Sequence, residues 1–101
     1  EEIFGPVLSI FTFRDESEAI KIANNSRFGL AAYAATENIA RVQRLGQSLN
    51  VGLLKIIGSS DFVERDVQMS IEPHKQSGFG FEGGLQGLAA YTSSMAVKVL
   101  A

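Results

Sequence analysis

Three short apolar segments, separated by two stretches of helical periodicity, fill residues 7–57, and that order leaves few folds open. Val7 to Phe13 reads Val-Leu-Ser-Ile-Phe-Thr-Phe, apolar on both alternating faces, which predicts a strand covered on both sides. Asp15, with Glu18 three residues on, resembles a capping box opening a helix in which Ala19, Ile22 and Ala23 share a face. That helix is expected to fray by Asn24-Asn25-Ser26. Leu30 to Ala35 predicts a second strand, made mostly of small residues that permit close approach of a neighbour. Thr36 is the expected cap of a second helix through Leu49. There Ile39, Val42, Leu45 and Leu49 form one apolar stripe, while Arg41, Arg44 and Ser48 point away and make the wet side. Val51 to Ile57 supplies a third strand. Strand, helix, strand, helix, strand at this spacing is the α/β pattern of parallel pairing through crossover helices.

Beyond Ile57 the pattern breaks. Gly58 to Ser77 is polar, carries Asp61, Glu64, Asp66 and Glu72, and shows no sustained period. A connection of that length is expected to be a functional loop or one that lies against something else. Leu85, Leu88 and Ala89 predict a short helix, weakened by Gly83, Gly84 and Gly87. Met95 to Leu100 alternates enough to predict a final strand. A length of 101 residues suits one domain, and 46% hydrophobic against 20% charged residues argues against whole-chain disorder.

Composition removes several chemistries. The nine basic residues are dispersed and the net charge is -2, which argues against a nucleic-acid or anionic-membrane surface. Phe28 to Ala35, the longest apolar-leaning stretch, is too short to span a bilayer, and the acidic start is the wrong charge for a signal peptide. With no cysteine there is no disulfide, no thiolate nucleophile and no cysteine-ligated metal. His74 is the single histidine, so a helix-borne pair of histidine ligands is excluded and no metal site is expected. A cytoplasmic location is the expectation.

Individual motifs carry little chemistry by themselves. Gly78-Phe79-Gly80-Phe81-Glu82-Gly83 spells the glycine fingerprint of dinucleotide-binding folds. That fingerprint needs a buried strand before it and an acidic residue about 20 positions on, and neither is present. The glycines are read instead as permitting a tight loop against a helix start. His74 beside Lys75 admits an acid–base pair or an anion site, but a lone histidine in a polar loop reads first as solvated. Glu1 and Glu2 point to opposite faces of an extended segment and cannot share a proton. No Gly-x-Ser-x-Gly elbow presents a serine nucleophile.

The order of several blocks says more. Glu1-Glu2-Ile3-Phe4-Gly5-Pro6-Val7 resembles the E-E-x-F-G-P motif of the NAD(P)-dependent aldehyde dehydrogenases, and Phe28-Gly29-Leu30-Ala31-Ala32-Tyr33 is similar to the family's Y-G-L-A-A segment. The resemblance resumes at Lys75-Gln76-Ser77-Gly78-Phe79-Gly80, at Glu82-Gly83-Gly84-Leu85 and at Tyr91-Thr92, in the family's order. It implies a three-layer, mainly parallel sheet with flanking helices. Residues 1–92 would be the C-terminal segment of the catalytic domain, and 93–101 an oligomerisation strand serving a homo-oligomer. It also implies that Glu2 hydrogen-bonds the ribose hydroxyls beside the nicotinamide of NAD or NADP, and that Phe4 packs near that ring. The family's cysteine nucleophile, base glutamate and oxyanion asparagine match positions before Glu1. The chain is therefore expected to hold no catalytic residue, to bind no cofactor in isolation and to oxidise no aldehyde alone.

Three departures from the family pattern stand out. Ser70-Ile71-Glu72-Pro73 replaces P-F-G-G in the loop that borders the substrate tunnel, which bears on substrate class. Ile57 replaces an asparagine and Phe81 an arginine, removing polar or ionic anchors. Drift in a truncated copy and an unusual subfamily both fit. Two functions follow: a segment of an aldehyde-oxidising enzyme, or a small α/β module that dimerises through Met95 to Leu100 or docks on a full-length relative.

Overall fold

A computed structural model describes residues 1–58 and 69–101. The first helix, α1 (Glu16–Asn24), opens at Asp15, whose side chain accepts from the Glu18 backbone N–H at 2.8 Å. Glu16 and Glu18 place negative charge at the positive end of the helix. The expected box is displaced by one residue on its return side. The Glu18 carboxylate accepts from the backbone N–H of Arg14 at 2.7 Å and from its guanidinium.

After α1 come β1 (Phe28–Gly29), β2 (Ala31–Ala35), α2 (Ile39–Ser48), β3 (Leu53–Ile57), β4 (His74–Lys75) and α3 (Gly84–Ala89). Strands β2 and β3 pair in parallel from Ala31 opposite Leu53 to Ala35 opposite Ile57, with α2 as the crossover between them. Strand β1 pairs antiparallel with β4, a second two-stranded sheet. The parallel α/β unit is therefore present. The long connection contains β4, and Ile71 forms a bridge with Glu82. Asp61, Glu64 and Asp66, singled out in that connection, lie outside the described residues.

Three expectations about local structure change. Asn38, not Thr36, caps α2, accepting from the Arg41 N–H at 3.0 Å. Thr36 still belongs to the ladder, because its N–H donates to Ile57 O at 2.9 Å, so the helix starts later. Its buried hydroxyl oxygen instead accepts from the Asn38 N–H at 3.2 Å. Val7–Phe13 and Met95–Leu100 run without strand pairing. A strand exists only where a neighbour takes its hydrogen bonds, and neither segment has one among the described residues. Leu8 and Ile10 are consequently more than four-fifths exposed (83% and 81%).

The core is small. Leu45 is the one buried large hydrophobic among the described residues, with Val42 and Leu49 half-buried beside it on the predicted stripe and Ile39 exposed. The radius of gyration is 18.1 Å, against about 13 Å for a compact chain of this length.

Candidate functional site

A cleft of about 540 Å³ opens between the ends of α1 and α2, the start of β2 and the segment after β4. Glu2, Ser26, Gln76 and Ser77 supply its polar groups, and Phe28 and Leu49 contribute to its apolar lining. Of the two candidate cofactor residues, Glu2 therefore borders a cleft, whereas Phe4 is fully exposed and lies outside it.

One wall of this cleft is fastened residue by residue. Gln76 N–H donates to Arg27 O at 2.8 Å, and Ser77 Oγ accepts from Gly29 N–H at 2.9 Å. Asn50 Oδ1 lies 2.7 Å from His74 Nδ1. Asn24 joins the two helix ends, its amide donating to Ser48 O at 2.7 Å and its Oδ1 accepting from Asn50 N–H at 2.9 Å. Lys75 Nζ donates to Asn24 O at 2.9 Å, on the last residue of α1, and to Ser26 O at 3.1 Å just past it, where carbonyls lack helical partners. His74 is thus half-buried and partnered, and the Lys75 ammonium faces carbonyls, so the solvated histidine and the anion site are both corrected. Asn24 and Asn50 were missed. Their only signal was adjacency to helix ends, where a polar side chain can close orphan backbone groups.

The glycines after Ser77 behave as loop glycines. Gly78, Gly80 and Gly83 take positive φ (140°, 87° and 81°), behind an antiparallel two-residue strand and ahead of a six-residue helix. Gly83 sits where a Cβ would come 2.6 Å from Met69 O. The divergent segment Ser70–Pro73 is tied to the same turn: Ser70 Oγ donates to Gly83 O at 2.9 Å, and Ile71 exchanges backbone bonds of 2.8 and 2.9 Å with Glu82. Ile57 and Phe81 are both exposed, at 59% and 40%.

A second cavity, about 440 Å³ and mainly apolar, lies between α1, β2 and α2. Glu16 and Arg41 are among its lining residues. The arginines lie on the exposed side of α2 as expected, and both are paired there: Glu16 accepts from Arg41 Nε at 3.0 Å and from Arg44 Nε and Nη2 at 2.5 and 2.9 Å. Hydrogen bonds from Arg44, then Arg41, hold the Glu16 carboxyl down at about 2, and Glu16 in turn raises the Arg44 pKa.

Among the described residues no three His, Asp or Glu side chains converge as metal ligands, and no helix is long and apolar enough to cross a membrane. The sequence profile of the Aldehyde dehydrogenase family matches residues 1–97. Betaine aldehyde dehydrogenase (betB) from Staphylococcus aureus, solved in complex with NAD+, is 40% identical, with a TM-score of 0.76 over 90% of this chain and 18% of that one. The aldehyde dehydrogenase KauB from Pseudomonas aeruginosa is 35% identical, with a TM-score of 0.79 over 92% of this chain and 18% of its own. The chain spans about 18% of the length of these structures. With profile, sequence and backbone in agreement, the chain belongs to the aldehyde dehydrogenase family.

Proposed function

We propose that this chain is the C-terminal portion of the catalytic domain of an NAD(P)-dependent aldehyde dehydrogenase, furnishing one wall of the cofactor site and no nucleophile. The observation that carries the reading is Glu2 at the border of the cleft. An ionised carboxylate only accepts hydrogen bonds, and its two oxygens can take both hydroxyls of a diol. A carboxylate at the edge of a partly apolar cleft suits a ribose joined to a flat ring, so the residues present fit that part of NAD or NADP. The S. aureus neighbour was solved with NAD+. Bound there, the nicotinamide would supply the hydride acceptor. Glu2 would orient the ribose, and Phe4 would limit travel of the ring once other parts of the subunit bring it alongside.

Nucleophilic attack on an aldehyde by a thiolate has no source in these 101 residues, which contain no cysteine. The surface supports the same reading. The chain exposes 9043 Å², against about 5,600 Å² for a compact protein of its mass. On this reading Val7–Phe13 becomes a strand of the three-layer sheet when flanked by the rest of the subunit. Met95–Leu100 becomes the edge through which a cytoplasmic homo-oligomer forms. A second reading, a non-catalytic module associating through that last segment, rests on the exposure of Met95, Val97 and Val99 (85%, 78% and 88%).

Two assays test the proposal. The purified 101-residue chain, given an aldehyde and NAD, is expected to form no NADH. A graft in which residues 1–97 replace the matching stretch of the S. aureus enzyme is expected to bind NAD and oxidise aldehyde. NADH formation by the chain alone overturns the proposal. A graft that folds and sediments like its host yet shows no NAD binding favours the module instead.

A further inference from the structure

We propose that Lys75 is a positioning residue for the cofactor wall, an inference that rests on the reading of the cleft as the ribose end of the cofactor site. Lys75 is not itself a lining residue of the cleft, whereas its neighbours Gln76 and Ser77 are. Between His74, which pairs with Gly29, and Gln76, which donates to Arg27 O, the backbone turns through a positive φ of 55° at Lys75. A side chain bearing a Cβ disfavours that conformation, so it persists only where surrounding contacts impose it. Backbone bonds close the turn, Ser77 N–H to His74 O at 3.2 Å and Gln76 N–H to Arg27 O, and the Lys75 ammonium anchors it by donating to Asn24 O and Ser26 O at the end of α1. A cation there meets the negative end of the helix dipole and carbonyls that make no bond within the helix, of which Asn24 O also accepts from Ser26 N–H at 2.9 Å.

This tether links the cleft wall to the element that carries its opposite side. Ala23 and Ser26 line the cleft at the end of α1, Gln76 and Ser77 line it after β4, and the Lys75 side chain spans the two. His74 and Asn50 make the corresponding link to the end of α2. The Lys75 side chain thus adds the tie to α1 to the bonds that Gln76 and Ser77 make with Arg27 and Gly29, and together they set the width of the cleft beside Glu2. Loss of the ammonium frees Gln76 and Ser77 to shift relative to α1, and the group that senses the shift is the one lying against that wall.

The readout is a split between kinetic constants in the graft described above. Lys75→Met is expected to weaken NAD binding about tenfold in calorimetric titrations without aldehyde, and to raise the KM for NAD by the same factor, with kcat within twofold and the KM for aldehyde unchanged. Lys75→Gly is expected to behave alike, because glycine suits the positive φ while lacking the ammonium, and it keeps the test open should Lys75→Met fail to fold. Lys75→Arg, which retains a cation, is expected to recover part of the loss. An unchanged NAD KM in Lys75→Gly overturns the proposal, as does an equal rise in both KM values, which marks a general structural role. If the graft with native Lys75 binds no NAD, the reading of the cleft fails first; if that graft works and the Lys75 variants match it, only this inference fails.

Discussion

Glu16 shows how much a single side chain can hide from a sequence reading. A helical wheel placed Arg41 and Arg44 correctly on the outer face of α2, but their partner sits on α1, 25 and 28 residues away. Periodicity reports which way a side chain points and not what it meets. The pairing has a pH signature of definite sign. The Glu16 carboxyl falls from its usual 4.5 to about 2 on folding, so the contribution is whole above pH 4.5 and is lost as pH drops toward 2. Thermal melts of the chain and of Glu16→Gln are expected to differ most near neutral pH and to converge by pH 2. The gap is also expected to narrow in high salt, because both arginines are half-exposed. Gly29 makes a steric prediction at the same scale. A Cβ there would lie 2.6 Å from Asn50 O and 2.9 Å from the His74 Cβ. Gly29→Ala is expected to cost about 1–3 kcal/mol in urea titrations and to speed amide exchange at Gln76.

At the scale of elements, β2, α2 and β3 were legible because each carries its own pattern: small alternating residues, an apolar stripe, then Leu-Leu-Lys-Ile-Ile. The start of α2 was not. Thr36 and Asn38 are both good caps two positions apart, and only the hydrogen bond from Thr36 N–H to Ile57 O decides between them. Asn38→Ala is therefore expected to destabilise α2 by about 1 kcal/mol, seen as lost helical ellipticity and a lower urea midpoint. Strand β4 was hidden for a related reason. Two residues carry no period, and their pairing with Phe28 and Gly29 is fixed by contacts some 46 positions away. The strands foreseen at Val7–Phe13 and Met95–Leu100 were patterns without partners among the described residues.

For the whole molecule, the family was legible in the order of its blocks, and the cleft was not. Glu2 could be matched to a role by resemblance, but that it borders a cleft with Gln76 and Ser77 is a fact of folding. Exposed apolar segments at both ends predict self-association of the isolated chain. Light scattering is expected to give a mass above 10.9 kDa that falls toward it on deleting Met95–Leu100. The central claim, that this chain walls a cofactor site it cannot complete, is tested most directly by titrating NAD against the graft and its Glu2→Ala variant while following NADH. The account predicts a working graft whose KM for NAD rises about tenfold on losing the carboxylate, a loss of roughly 1.4 kcal/mol of binding. Identical NAD titrations for the two proteins would contradict it.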